Sequence, residues 1–325
     1  MKLSNKLINQ FYSWFAEVTI EKEERKSLEA EIKGKVGVGA PLLSFFIQFM
    51  AIVTGRIKTS TESKKTIRQR LDPRISQLIE NTNLLIIDAR AKLKKMGYKN
   101  LVIIIDNLDK VTLRMIDEEC STHDLLFIEH GELLSSLDCH SVFTIPISMC
   151  YSPKVTLLKS IFDEPYMVPM IKIFDPKKNN PYYKGLRTLK DIIRKRIDIK
   201  KAFAANVVNF LCQSCGGHVR DLMFLIRSAC DYVDYIPITM DASRQAVRKL
   251  SNGYQRSIPY HHWPLLAEVH LSHEIINEPE CQTMLYNLSV LEYMDGSPWY
   301  DVHPAILQLK DFKRELNEQK RRKER

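Results

Sequence analysis

The stretch Leu101-Val102-Ile103-Ile104-Ile105-Asp106-Asn107-Leu108-Asp109-Lys110 sets acidic and amide groups at the end of an aliphatic run. Consecutive aliphatics without alternation read as a strand buried on both faces, as in a parallel sheet. An acidic residue at the C-terminal end of such a strand stands where open α/β sheets bind ligands. There the Asp106 carboxylate could hold a water of a Mg²⁺ ion bound to nucleotide phosphates. The plainer reading is a strand that stops at a solvated Asp-Asn turn. Two later features add to the chemical one. Thr144 lies near the end of a second apolar strand, Ser141-Val142-Phe143-Thr144-Ile145, where a hydroxyl could orient an attacking water or touch a terminal phosphate. β-propensity alone would also select a threonine there. Gly216-Gly217-His218-Val219-Arg220 opens a helix whose first turn carries an arginine able to reach a nucleotide, or merely a C-cap followed by a surface arginine.

The elements around these residues follow from periodicity. Residues 3–31 read as a helix with Leu7, Ile8, Phe11, Phe15 and Val18 on one stripe, broken by Gly34, Gly37 and Gly39. Residues 73–95 read as a second helix, with Ile75, Leu78, Ile79, Leu85, Ile86, Ala89 and Leu93 at steps of three and four. Helical segments separate the two strands from a third, Met170 to Phe174, so the first half reads as α/β. After Pro176 come amphipathic helices at 186–199, 202–211, 219–232 and 241–250. From Pro264 the pattern gives two helices, then short strands around an Asp295-Gly296 turn, a β-hairpin. Helices followed by a hairpin outline a winged helix, with Leu285, Leu288, Leu291 and Val302 expected inward.

As a set, these motifs resemble P-loop ATPases of the AAA+/STAND class. Ile105-Asp106-Asn107-Leu108-Asp109-Lys110 is similar to the Walker B of the KAP group of STAND ATPases. The Thr-Ile-Pro strand, the Gly-Gly-x-Val-Arg helix and the C-terminal winged helix are similar to origin-recognition-type AAA+ ATPases of archaea. The resemblance covers about residues 70–310. It implies ATP and Mg²⁺ as cofactors of an intact member, with Asp106 at the metal and Asn107 and Asp109 beside the attacking water. Thr144 then takes the sensor 1 place, and Arg220 the sensor 2 place. The architecture it implies is an incomplete P-loop ATPase domain at 1–175, a helical lid at 176–255, and a winged-helix domain with a basic tail at 256–325.

The departures bear on activity. A P-loop needs Gly-Lys-Ser/Thr, because backbone amides cradle phosphate, the lysine meets its oxygens and the hydroxyl binds Mg²⁺. The sole Gly-Lys pair is Gly34-Lys35, and Val36 follows it. Asn107 stands where such ATPases place a carboxylate, and asparagine orients water without accepting its proton. The chain alone is therefore expected to bind and hydrolyse ATP poorly. In the family's sheet the P-loop strand lies between the Thr144 strand and the Met170 strand. Its loss should expose ladder groups and apolar surface. A chain that begins upstream of Met1 is the expected remedy; an N-terminal region that fills the gap is the other.

The formal charge of +9 admits DNA or another polyanion as a partner, with basic groups at Lys64, Lys65, Arg68 and Arg70 and at Lys320-Arg321-Arg322-Lys323. The winged helix is the expected contact, to DNA or to protein. A DNA-binding or scaffolding protein that keeps the ATPase remnant only as a platform is the rival reading. The 7 cysteines at irregular spacing point to a reducing compartment, and a cytoplasmic setting is expected. Cys212-Gln213-Ser214-Cys215 invites zinc or redox chemistry, but the helical stripe around it favours core cysteines. Val38 to Gly55 is uncharged, yet short and interrupted by Pro41 and Gln48, so a buried or interfacial helix is expected rather than a membrane span. His261 and His262 are expected in a loop before a helix that starts at Pro264.

Overall fold

The computed structural model describes residues 3–19, 69, 71–175 and 180–323. Val38–Gly55, the Gly34-Lys35 pair and the basic group at Lys64, Lys65, Arg68 and Arg70 lie outside them. The chain is mixed α and β and divides into two compact units, Met1–Pro146 with Thr156–Glu164, and Ile147–Val155 with Pro165–Arg325.

The first unit begins with α1 (Asn5–Thr19), whose Ile8, Phe11, Tyr12, Phe15 and Val18 are buried. This stripe packs on α2 (Ile75–Lys95), which buries Leu85, Ile86 and Ala89. The Ser4 amide donates to Asp88 Oδ2 at 2.8 Å, and Trp14 Nε1 to Gln77 Oε1 at 3.2 Å. β1 (Val102–Ile105) follows. The chain then returns through α3 (Thr122–Asp124), capped by the Ser121 hydroxyl, a π-helical turn at Leu125–Glu129, and α4 (Gly131–Ser135). It enters β2 (His140–Phe143) parallel to β1, pairing Val102 with His140 and Ile105 with Phe143. After β2 come α5 (Ile147–Tyr151), part of the second unit, and α6 (Val155–Phe162), whose Phe162 meets Phe143 edge-on at 5.6 Å.

Two expectations for this sheet fail. β1 is not buried on both faces. Val102 is 53% exposed, Ile104 68% and Val142 50%, whereas Ile103, Ile105 and Phe143 on the other face are half-buried. Among the described residues the sheet has two strands, and none of these residues forms a layer over Val102, Ile104 and Val142. Nor does Met170 to Phe174 join it as a third strand. Only β3 (Phe174–Asp175) is extended and laddered there, antiparallel to β4 (Asn180–Pro181), within the second unit.

The second unit holds two apolar clusters. The first is built from α7 (Tyr183–Arg194), α8 (Ile199–Ala202), α9 (Val207–Ser214), α10 (Val219–Cys230) and the first half of α11 (Met240–Ser257). The helix expected at 202–211 starts only at Val207, because Phe203 bridges Ile238 and the Ala204 amide donates to the Ile238 carbonyl at 3.0 Å. The second cluster gathers α12 (His262–Ser272), α13 (Pro279–Tyr286), the hairpin β5 (Val290–Asp295) and β6 (Ser297–Val302), and α14 (Lys310–Lys323). The hairpin turns at Gly296, with φ of 77°. α12 starts at His262, which is buried, so Pro264 is its third residue and not its first. Leu285, Leu291 and Val302 face inward as expected; Leu288, at φ 59°, is only half-buried. Among the described residues, no helix is long and apolar enough to cross a membrane.

Candidate functional site

β1 ends by turning sharply. Asn107 adopts φ 69°, a left-handed conformation that asparagine tolerates well, and the chain drops into a 3₁₀ turn at Leu108–Lys110. The Asp106 carboxylate accepts from the Asn107 amide at 2.7 Å. Lys110 Nζ donates to the Asn107 side-chain oxygen. Thr144 follows β2 directly, and its amide donates to the Ile105 carbonyl at 3.2 Å, extending the parallel ladder by one bond. Its hydroxyl then accepts from the Leu108 amide at 3.1 Å and donates to Asp109 Oδ1 at 3.2 Å.

The structure therefore brings four of the five sequence candidates, Asp106, Asn107, Asp109 and Thr144, to one edge of the first unit. Arg220 belongs to the second unit, exposed on the first turn of α10. The edge offers two carboxylates and an amide, with Asp106 and Asn107 exposed. Oxygen ligands of this kind suit Mg²⁺, which typically takes one or two carboxylates and completes its shell with water and phosphate. The phosphate half of such a site does not fit what the described residues supply. Among them no group of three or more His, Cys, Asp or Glu could hold a metal by itself. Thr144 spends both hydroxyl functions on the 106–110 turn, so here it braces the turn.

A second polar constellation lies within the second unit. His218 caps the start of α10, Asp221 lies in its first turn, and His303 follows β6. His218 Nδ1 and His303 Nε2 each stand 3.1 Å from Asp221 Oδ2. The Ala305 amide donates to His303 Nδ1 at 3.1 Å, which leaves the proton on Nε2, facing the carboxylate. Burial opposes ionisation of Asp221, yet the two imidazoles outweigh it and hold the carboxyl well below the usual range. Burial pushes His303 down, against the pull of Asp221. The His303 ring lies 5.0 Å from Tyr254 and is fully buried. The i, i+3 spacing of His218 and Asp221 is a local signal; the third member, far along the chain, left none.

Next to it, Cys212 and Cys215 are fully buried, and burial pushes both thiols up to about 12. Cys215 Sγ donates to the Cys212 carbonyl at 3.2 Å, in keeping with core cysteines. A further buried group joins Tyr151, whose hydroxyl donates to Glu292 Oε2 at 2.7 Å and lies 2.7 Å from the Tyr300 hydroxyl. Burial raises the Glu292 pKa, although Tyr151 favours its ionised form.

Gly216 and Gly217 have their own structural cause. They take φ of 62° and 81°, and a Cβ on Gly217 would stand 1.9 Å from the Ile171 carbonyl oxygen. The segment at 170–173 runs against this pair, with the Met170 amide donating to Glu292 O at 2.9 Å. Compared with protein families, curated proteins and solved structures, the chain finds no match.

Proposed function

We propose that the chain is a degenerate relative of the AAA+/STAND P-loop ATPases, with the edge at Asp106 to Lys110 as its phosphate-facing side. The observation that carries this reading is the bracing of that edge. Two parallel strands end side by side, and the hydroxyl that follows one fixes the acidic turn that follows the other. In this reading Asp106 would hold Mg²⁺ through water, Asn107 and Asp109 would flank the attacking water, and Thr144 would brace the turn that carries them. Mg²⁺ and ATP would supply the charge neutralisation and the transferable phosphoryl group. The winged-helix-like module at α12 to β6 would pass the nucleotide state to DNA or a protein partner.

The chain by itself binds ATP–Mg²⁺ negligibly. The charge-assisted hydrogen bonds of a P-loop, about 1.5–3 kcal/mol each, have no counterpart in its Gly34-Lys35-Val36 sequence. Titration calorimetry tests this directly, and micromolar ATP affinity for the chain would refute it. The second part of the reading needs a P-loop segment supplied in cis. Asp106→Ala should then abolish Mg²⁺-dependent turnover, and Asn107→Asp should raise it. Turnover that survives Asp106→Ala removes the assignment.

A further inference from the structure

α11 divides cleanly into two faces. Ala242, Ser243, Ala246, Val247, Ser251 and Tyr254 are buried, and the opposite face is solvent-exposed. On that face Gln245, Arg248, Lys249, Asn252 and Arg256, with Tyr232 from the end of α10, line a groove of about 360 Å³. Asp241 is the sole acid in the helix and pairs with Arg244 at 3.1 Å, outside the groove. Lys249 reaches Asp231 at 3.5 Å. Arg248 and Arg256 meet no carboxylate within ion-pair distance among the described residues, so two guanidinium groups stand ready on one helical stripe.

The floor of the groove carries a second signal. Gly253 sits in the helix interior, where glycine costs about 1 kcal/mol relative to alanine. A Cβ there would meet nothing within 4 Å, so packing does not require the glycine. What its bare backbone provides is depth between Asn252 and Arg256. Arg248 and Arg256 are eight residues apart, about 12 Å along the axis, which matches three to four nucleotides at about 3.4 Å each. Arginine forks match phosphate geometry, the two amides can meet sugar or base edges, and Tyr232 offers a partly exposed ring for stacking.

We infer that the α11 groove binds the phosphodiester backbone of a nucleic acid. This surface is separate from the basic end of α14, and the inference stands whether or not Asp106 ever meets a nucleotide. An anionic membrane would be drawn by charge alone, but it would gain nothing from the cleft, the amides or the ring.

The test uses the full chain without ATP and labelled oligonucleotides of about 16 nucleotides, as single-stranded DNA, single-stranded RNA and duplex DNA, read by fluorescence anisotropy at about 50 mM salt. Arg248→Ala with Arg256→Ala should weaken binding at least tenfold while leaving the melting midpoint unchanged. The slope of log affinity against log salt should flatten by about 1.8 on duplex or about 1.4 on single strands. Gly253→Glu should weaken binding through charge and bulk at the groove floor. Tyr232→Ala should weaken single-strand binding only, which separates a stacked strand from a duplex. The inference is overturned if no oligonucleotide binds, if the double variant keeps full affinity, or if only Lys320→Ala with Arg321→Ala and Arg322→Ala abolishes binding. Retention on phosphatidylserine vesicles without oligonucleotide binding would likewise overturn it, in favour of a membrane.

Discussion

Ile104 in β1 is 68% exposed, while Leu211 in α9 is wholly buried. The carboxylates differ in parallel: Asp106 faces solvent at a strand end, whereas Asp221 is enclosed by two imidazoles. The first unit thus leaves both apolar surface and polar groups open at its small sheet. The second unit buries its two apolar clusters, encloses Asp221 and exposes apolar residues, such as Tyr235 and Ile236, mainly in its loops. Openness at the strand ends suits contact with something else. Enclosure around Asp221 suits holding α10 to the end of β6, because a buried polar group that loses its partner keeps its desolvation cost.

The largest break in this comparison is Leu211→Ala, at about 2–5 kcal/mol in denaturant unfolding, the range for a filled core position. Asp221→Ala should follow at about 1–3 kcal/mol, because it takes the carboxylate away from a neutral imidazole that is fully buried. A loss below about 1 kcal/mol would show that the enclosure contributes little.

Acid sharpens the contrast further. The folded-state pKa of His303 lies below its usual 6.5, so the unfolded chain takes up this proton first as pH falls. Stability from His303 is therefore present above that range and lost below it. Asp221 acts in the same sense, but only at stronger acid. Glu292 runs the other way, since its raised pKa favours the fold while it is protonated and loses that contribution as pH rises. The melting midpoint should be lower at about pH 5 than at about pH 7.5, and His303→Asn should shrink the difference. A midpoint that rises in acid would assign control to Glu292.

At the open edge the effects are smaller. Thr144→Val removes the bonds to Leu108 and Asp109 and should cost about 1 kcal/mol, with Thr144→Ser recovering most of it. Amide exchange at Leu108 reports the same loosening. Ile104→Ser should change stability by less than about 0.5 kcal/mol and improve solubility. A loss comparable to that of Leu211→Ala would mean that Ile104 is covered in solution.

What could be read from sequence was local. The acidic turn, the helical stripe of α2 and the Asp295-Gly296 hairpin each announce themselves within a dozen residues, and each is where periodicity places it. An unbroken aliphatic run records what a strand could bury and not whether a layer covers it, so β1 reads as buried on both faces while Val102 and Ile104 are exposed. Met170 to Phe174 reads as a strand for the same reason, yet the Met170 and Ile171 amides donate to Glu292 and Gly217, which no periodicity connects to them. His303 was missed on similar grounds. A histidine after a strand carries no mark of a carboxylate brought to it by another helix.

The bond between Tyr151 and Glu292 spans 141 residues. A ribosome adding about 5–20 residues each second needs on the order of 10 s to make that stretch. Throughout that time α5 exists without the carboxylate and the second phenol that later engage its tyrosine. Nascent chains stalled before Glu292 should therefore leave α5 open to protease, and those released after Tyr300 should protect it.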